Sequence, residues 1–402
     1  MTDLTAHVPP AANAAQIANA NGMAAMQRGD FKTARAEFTR ASEADPNAGQ
    51  LWRNLAHACR QIGDDAGERA ALDRALSIDR RDIAALLRSA ELHQRRGELG
   101  EALAEWSGVI QLASGMSQAP PALTQALAEG QRFVAEQQAR LARHVDAELD
   151  DLLTGMDARG QRRGQAFIDR AMGRRATYTN ECHGLYYPFL PADEFFDADH
   201  FPWFDVLREA APAIRAEFEA LQSKEALPLR PYVQMEQGLP DNLWTALDGN
   251  MAWSAAFLWE YGVPNEELLA LCPATAAMLE AIPRAEIPGR APTAFFSILR
   301  AGAHIPPHTG VSNTRAIVHL PLIVPEGCGF RVGGETREWC EGEPFAFDDT
   351  IEHEAWNRSG TDRALLILDV WNPHLTEAEC ELITRYYASA DQVGLNPEKR
   401  DI

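Results

Sequence analysis

The sequence lacks the features that mark membrane-spanning and secreted proteins. It has no apolar run of about 18 residues, the length at which a transmembrane helix becomes possible. Residues 1–21 do not combine a basic start with an apolar core, so no secretory signal is predicted. The six cysteines are scattered without CxxC spacing, which favours reduced thiols over a disulfide framework. We therefore expect a cytoplasmic protein with no membrane partner.

Positive charge is also scarce. The 37 Lys and Arg residues are outnumbered by 58 Asp and Glu residues, and the formal net charge is −21. Such a charge disfavours nucleic acids as partners. Residues 154–177 are locally rich in arginine, and we interpret them as solvated surface because the chain as a whole is acidic. A chain of 402 residues is long enough for two or three domains with adequate cores.

The N-terminal part of the chain repeats with a 34-residue period. Three kinds of position recur in the same order, namely Gly29, Gly63 and Gly97, then Ala36, Ala70 and Ala104, then Phe38, Leu72 and Trp106. This period resembles that of tetratricopeptide repeats, in which small residues let two helices approach and glycines allow the turn between them. We predict such α-helical repeats over residues 13–113. An irregular array of helical hairpins is the alternative. The groove of such arrays usually binds a peptide or protein segment, although a purely structural role is possible.

A helical connector is predicted over residues 114–177. Pro120-Pro121 interrupts the repeat pattern, and residues 123–153 then read as one long helix. Its apolar residues Leu127, Val134 and Leu141 are seven positions apart, which is typical of a helix with one packed face.

Two histidines in a strand- and turn-rich region are candidate metal ligands. His308 follows Ile305-Pro306-Pro307, where proline restricts φ, and His353 lies 45 residues further on. Two imidazoles suit a non-haem Fe(II) site, but such sites usually add a carboxylate two residues after the first histidine. That position holds Gly310. Taken alone, an arbitrary pair of this kind is more commonly explained as two satisfied core histidines.

The order of the surrounding motifs favours the metal site. The motifs are Ser297-Ile298, Pro307-His308-Thr309-Gly310, Asn313-Thr314-Arg315, His319-Leu320, Phe347-Asp348-Asp349, Glu352-His353-Glu354 and Asp369-Val370-Trp371. With them, residues from about 180 to 390 resemble the catalytic domain of the aspartyl/asparaginyl β-hydroxylases, which are Fe(II)- and 2-oxoglutarate-dependent dioxygenases. That family tolerates glycine at the place of Gly310. The resemblance implies a double-stranded β-helix (a jelly-roll or cupin-like domain) with flanking helices over residues 178–392.

The resemblance also implies a role for individual residues. His308 and His353 would bind the iron. Ser297 and Arg363 would hold the distal carboxylate of 2-oxoglutarate, for which the planar guanidinium fork is well suited. His319 would contact the carboxylate nearest the metal.

One position departs from the family pattern. The family carries a second arginine two residues before this histidine, where the chain has Ile317. Arg315 shares a face with Ile317 in a regular strand, so we expect it to replace that arginine in part as a cosubstrate-binding residue. Asp348 and Asp349 lie close before His353 in the sequence. We expect them to support the metal or its water rather than to bind the metal.

The expected fold is therefore multidomain, with α-helical repeats followed by a β-helix oxygenase domain. The expected reaction uses Fe(II), 2-oxoglutarate and O2 to hydroxylate a C–H bond, releasing succinate and CO2. The expected substrate is an Asp or Asn residue of a protein or peptide that the repeats help to bind. Hydroxylation of a free amino acid or a lipid acyl chain is the alternative. A non-catalytic scaffold that works through its repeats is the alternative from another class, against which the retained site residues argue.

Overall fold

The structure, a computed structural model, describes residues 10–116, 118–235, 238 and 240–393. Its contacts divide the chain into two compact units that meet in sequence at Met156 and Asp157. The predicted connector over residues 114–177 is thus shared between the two units. Within the described ranges, no helix is both long and apolar enough to pass through a bilayer.

The first unit consists of helices packed as consecutive hairpins. The helices are α1 (Pro10–Gln27), α2 (Phe31–Ala44), α3 (Gly49–Gln61), α4 (Asp65–Ile78), α5 (Ile83–Arg96), α6 (Leu99–Ser114) and α7 (Pro121–Thr154). Helix α1 packs on α2, α3 on α4 and α5 on α6. Gly29, Gly63 and Gly97 end the first helix of each pair with φ of 71–76°, a conformation that favours glycine. The predicted helical repeats are confirmed.

The repeat period identifies the large core residues correctly but not the small ones. Phe38, Leu72 and Trp106 are each no more than 2% exposed. Ala36, Ala70 and Ala104, predicted at the helix contacts, are exposed, so that prediction is wrong. The buried small residues lie two positions earlier, at Ala34 and Ala102. Two residues rotate a helical position by about 200°, which places it on the opposite face.

In the middle repeat, the position equivalent to Ala34 and Ala102 is occupied by a charged residue, Glu68. The side chain of Glu68 is fully buried, and its carboxylate pairs with Arg95 at 2.6 Å. Burial is the largest influence on this carboxyl and raises its pKa above the usual value. The ion pair holds helix α4 against α5 at a position where the neighbouring repeats use alanine.

Helix α7 confirms the predicted long helix and continues the array by packing on α6. Gly130 makes this contact possible, because a Cβ atom there would overlap the indole ring of Trp106. Leu127 and Val134 pack beside Trp106, whereas Leu141 is half exposed. The predicted apolar stripe therefore packs against α6 through its first part, where Leu127 and Val134 are partly buried.

The second unit is an antiparallel two-sheet sandwich with flanking helices. Its helices are α8 (Ala158–Ala171), α9 (Phe204–Ser223), α10 (Glu266–Leu271), α11 (Pro273–Ala281) and α12 (Glu377–Gln392), with a 3-10 helix at Ala198–His200. Its strands are β1 (Arg230–Pro231), β2 (Trp253–Glu260), β3 (Val263–Pro264), β4 (Ala294–Leu299), β5 (His304–His308), β6 (Arg315–Ile323), β7 (Cys328–Val332), β8 (Glu335–Arg337), β9 (Phe345–Phe347), β10 (His353–Asn357) and β11 (Arg363–Trp371).

The strands form a larger and a smaller sheet. The larger has the order β1-β2-β4-β11-β6-β9, with β3 also paired to β2, and the smaller has the order β5-β10-β7-β8. Successive strand residues point to opposite faces. Accordingly, alternate residues of β6 and β11 pack against helices α9 and α11 on one side, while the residues between them face the smaller sheet. The predicted β-rich domain with flanking helices is confirmed.

Candidate functional site

A cavity between the two sheets gathers the predicted site residues. His308 on β5 and His353 on β10 are direct partners across the smaller sheet, and their ring centroids lie 4.0 Å apart. Ser297 on β4, Arg363 on β11 and the β6 residues Arg315, Ile317 and His319 line the same cavity from the larger sheet. The structure therefore brings together residues from five strands that are separated by up to 66 positions in the sequence.

Backbone carbonyl groups orient the two imidazoles. Nδ1 of His308 lies 2.8 Å from the carbonyl oxygen of Pro306, and Nδ1 of His353 lies 3.0 Å from that of Ile351. A carbonyl accepts only, so each Nδ1 carries the proton and each Nε2 keeps its lone pair. Burial lowers the pKa of His308 to about 4 and that of His353 well below its usual value. Both rings are therefore neutral, as metal ligands must be.

Gly310 leaves room for an acidic side chain. A Cβ atom at this position would overlap the carboxylate of Asp349, and the amide of Gly310 donates to the backbone oxygen of Asp349 at 2.6 Å. The carboxylate oxygen Oδ1 of Asp349 is buried and finds no hydrogen-bond partner among the residues that the structure describes. Burial, aided by the neighbouring Asp348 carboxylate, raises the pKa of Asp349 to about 7. Asp349 thus occupies space beside the position where a carboxylate ligand is usual.

Replacement of Gly310 by alanine is expected to lower the free energy of unfolding by about 1–3 kcal/mol, because the new methyl group overlaps Asp349. Chemical denaturation measures this loss. Gly360→Ala is the matched control, since a Cβ atom there meets no atom within 4 Å. The double variant Gly310→Ala/Asp349→Ala should recover most of the loss. Equal stability of the Gly310 and Gly360 variants would contradict the close approach.

Arg363 lies at one end of the cavity as a buried cation without an acidic partner among the described residues. It is 1% exposed, and its Nε has no hydrogen-bond partner. Its Nη2 donates to Oγ of Ser297 at 3.3 Å, and its guanidinium carbon lies 4.8 Å from the ring centre of Trp339. Burial lowers the pKa of Arg363 to about 10, so the group stays charged at neutral pH. A buried charge is costly unless it is paired, so this end of the cavity is suited to an anion.

Ser297 is arranged to help bind that anion. Its Oγ accepts hydrogen bonds from Arg363 and, at 3.2 Å, from Nε1 of Trp253. Accepting both bonds leaves the hydroxyl hydrogen free to donate. Arg363 and Ser297 therefore form a donor pair for one carboxylate.

His319 lines the same cavity from strand β6, opposite Ile367 of β11. Nε1 of Trp339 donates to Nδ1 of His319 at 3.4 Å, which places the ring proton on Nε2. Burial lowers the pKa of His319 well below its usual value, with a further contribution from the Arg363 cation. His319 is therefore a neutral donor that lines the cavity. Trp339, which contacts both Arg363 and His319, was not predicted, since no spacing pattern in the sequence connects it with either residue.

Arg315 faces the cavity together with Ile317, as expected for a regular strand. Its Nη1 forms an ion pair with Oδ2 of Asp369 at 2.5 Å. Strand β11 aligns Asp369 with Ile317 and Ile367 with His319, so Arg315 and Asp369 lie beyond His319 on the side away from Arg363. The structure thus gives Arg315 a carboxylate partner of its own. Its predicted contact with a cosubstrate stays a prediction.

The donor set fits an iron ion held by two histidines. The structure groups no three His, Cys, Asp or Glu side chains as metal ligands anywhere in the ranges given above. It does place two neutral imidazoles together, with their unprotonated nitrogens available, in a cavity that also contains an unpaired arginine. Two imidazoles and an anionic chelating ligand are a suitable set for non-haem Fe(II).

Comparison with known proteins relates this region to hydroxylases. Residues 208–373 match the family model described as aspartyl/asparaginyl β-hydroxylase. The mouse aspartyl/asparaginyl β-hydroxylase is 43% identical over 126 residues, which cover 31% of this chain and 17% of that protein. The ornithine lipid ester-linked acyl 2-hydroxylase of Rhizobium tropici is 34% identical over 197 residues, which cover 48% of this chain and 66% of that protein. The chain thus matches only part of the length of each relative.

A comparison of structures finds tetratricopeptide domains. One is the first such domain of Spaghetti (RPAP3) bound to the HSP90 peptide SRMEEVD, with 21% sequence identity and a TM-score of 0.28. The match covers 32% of this chain and 98% of that chain.

Proposed function

We propose that this protein, whose residues 208–373 match the aspartyl/asparaginyl β-hydroxylase family model, is an Fe(II)- and 2-oxoglutarate-dependent hydroxylase. The observation that carries the proposal is Arg363, a fully buried guanidinium without an acidic partner in the described part of the chain. A dicarboxylate cosubstrate would supply the missing negative charge. The planar fork of Arg363 and the free hydroxyl hydrogen of Ser297 match the geometry of one carboxylate.

The other end of such a cosubstrate would meet the metal ligands. In this proposal His308 and His353 would hold Fe(II), and the Nε2–H of His319 would donate to the second carboxylate of the cosubstrate. When bound, Fe(II) and 2-oxoglutarate supply the oxidising power, with O2 consumed and succinate and CO2 released. The side chains bind and orient these groups. The apolar residues between the sheets, among them Ile305, Phe330 and Phe347, keep water away from the reacting C–H bond.

Asp349 has a supporting role in this proposal. Its Oδ1 is buried without a partner, and its carboxyl lies against Gly310, two residues after His308. With Fe(II) bound, Asp349 would accept a hydrogen bond from water where Gly310 supplies no protein ligand. Asp348 fixes this turn by accepting from Asn180 and Thr350.

The substrate that we propose is an Asp or Asn residue of a protein or peptide. A lipid acyl chain is the second candidate, because the relative from Rhizobium tropici is named for that activity and matches a longer part of this chain than the mouse protein does. Both candidates present an unactivated C–H bond, so both require the same hydroxylation chemistry at His308 and His353.

The repeats are proposed to bind the polypeptide that carries the substrate residue. The first helices of successive hairpins, α1, α3 and α5, contact one another through polar side chains. Asn54 donates to Asn19 at 2.9 Å, Arg53 pairs with Asp82, and Arg88 donates to the carbonyl of Arg53 at 2.7 Å. These amide and guanidinium groups are the kind that bind peptide backbones and side chains. Binding energy gained there would support the reaction although it is remote from the reacting bond.

One experiment tests both parts of the proposal. The full chain and a chain that begins at Asp157 are loaded with Fe(II) and incubated with 2-oxoglutarate. We expect both to release succinate slowly without substrate, because all the site residues follow position 157. Both chains are then offered Asp- or Asn-containing peptides and, separately, a lipid with a fatty acyl chain. We expect only the full chain to add an oxygen atom to the peptides, detected by mass spectrometry.

Each failure has a distinct meaning. No succinate from the iron-loaded full chain under these conditions would contradict the hydroxylase and favour a non-catalytic scaffold. Equal peptide hydroxylation by both chains would contradict only the role of the repeats. Hydroxylation of a fatty acyl chain but of no peptide would favour the lipid substrate.

A further inference from the structure

The two ends of the cavity differ in charge. Arg363 and Asp369 are separated by six residues of strand β11, which corresponds to about 20 Å along the strand. Arg363 and Ser297 form the end that the proposed function assigns to the cosubstrate. We call the opposite part, lined by Arg315, Ile317, Asp349 and Asp369, the far end. With the cosubstrate reaching from Arg363 towards the two histidines, the far end is left for the substrate. In this arrangement Arg315 meets the substrate rather than the cosubstrate that the sequence predicted for it.

The cation of the far end is already neutralised. Nη1 of Arg315 lies 2.5 Å from Oδ2 of Asp369, which is 3% exposed. The second carboxylate oxygen of Asp369 accepts a hydrogen bond from the amide of Thr293 at 2.8 Å. Both oxygens of Asp369 are thus engaged, and the carboxylate is held in place beside Arg315. A substrate carboxylate would have to compete with this buried, hydrogen-bonded carboxylate for Arg315.

The other side chains of the far end add no positive charge. Ile317, which lies between Arg315 and His319 on the same strand face, is apolar. Asp349 contributes a second carboxyl group, whose Oδ1 is buried without a partner. The far end therefore contains two acidic groups and one basic group. A substrate carboxylate would be desolvated there without gaining an unpaired cation, which is a costly arrangement.

We propose that the far end takes an uncharged reacting side chain, so that the enzyme acts on asparagine and rejects aspartate. This inference rests on the proposed function, since it assumes that the cosubstrate occupies the Arg363 end. A carboxamide suits the far end because it both donates and accepts hydrogen bonds. It can therefore bind beside the Arg315–Asp369 pair without disturbing the charge balance of that pair.

The test uses two probes that differ only in side-chain charge, N-acetyl-asparagine N-methylamide and N-acetyl-aspartate N-methylamide. Their binding to the full chain, loaded with a redox-inert divalent metal and 2-oxoglutarate, is measured by ligand-observed NMR. We expect the wild type to prefer the asparagine probe by roughly tenfold or more, because mismatched charges are strongly disfavoured in desolvated sites.

Asp369→Asn should change that preference. The variant keeps an oxygen to accept from the Thr293 amide but removes the charge that neutralises Arg315. We expect it to bind the aspartate probe roughly tenfold more tightly than the wild type does. If this variant fails to fold, Ile317→Arg adds a cation to the same face and should have the same effect. Ile317→Met is its uncharged control and should keep the wild-type preference.

Each result decides the inference. Binding of the aspartate probe to the wild type as tightly as the asparagine probe would overturn it. Absence of aspartate binding in both Asp369→Asn and Ile317→Arg would also overturn it, since releasing or adding a cation should create an anion site. Binding of 2-oxoglutarate is measured on the same samples by calorimetry. If the wild type does not bind it, the proposed function fails separately from the charge preference.

Discussion

Replacement of Arg363 by alanine is expected to weaken 2-oxoglutarate binding by roughly 2–5 kcal/mol, the cost of removing one partner of a desolvated charge pair. Arg363→Lys should weaken binding less than alanine does, because lysine keeps the charge but not the planar fork. Calorimetric titration of the metal-loaded protein measures both affinities. Arg358→Ala is the matched control, since Arg358 is an exposed arginine whose guanidinium lies over the ring of Trp356.

The stability of a further variant, Arg363→Met, separates a binding role from a structural one. Arg363 is buried and has no acidic partner in the described part of the chain, so replacing it with methionine should leave the ligand-free protein at least as stable as the wild type. A structural arginine would instead lower the free energy of unfolding when it is lost. Unchanged dependence of succinate release on 2-oxoglutarate in Arg363→Ala would show that the cosubstrate binds elsewhere.

Removal of either His308 or His353 is expected to abolish tight Fe(II) binding, with a loss of more than roughly 100-fold. Disturbing a residue that only supports a metal ligand already costs about 10–100-fold, and here one of two protein ligands disappears. Anaerobic titration of His308→Ala and His353→Ala with Fe(II) measures the loss. His304→Ala is the control, because His304 lies on the same strand but is exposed and contacts Glu354 at 2.8 Å.

Circular dichroism and denaturation of the three histidine variants establish that they are folded. Wild-type iron affinity in both His308→Ala and His353→Ala would rule out this metal site. An equal loss in His304→Ala would show that the titration responds to general disturbance of strand β5 rather than to the loss of a ligand.

The sequence contained enough information to predict the order and type of both units. The 34-residue period predicted the hairpins, because glycine is needed where each first helix ends with positive φ. The same period misassigned Ala36, Ala70 and Ala104, which are exposed. A repeat period shows which positions are equivalent, but the face on which they lie depends on the neighbouring helices.

The two histidines and Arg363 could be proposed as a group because motifs in one order resembled a known family. Their neighbours could not be proposed in this way. Trp339 contacts Arg363 and His319 but is not itself part of any of those motifs. Asp369 belongs to a motif, but its effect on Arg315 arises from the pairing of β11 with β6 and from the ion pair across it.

By itself the sequence determined the chemical character of this protein: a helical repeat followed by a β-rich unit, two imidazoles, and an arginine at the start of a strand. Local spacing is sufficient for the helices and strands, because their periods are properties of neighbouring residues. The two imidazoles and the arginine were singled out by the resemblance of their motifs to a known family. Only the tertiary structure decided which charges are compensated. Among the described residues Arg363 has no acidic partner, whereas Arg315 is paired with Asp369. Strand register and burial, which depend on residues distant in sequence, determine these partners.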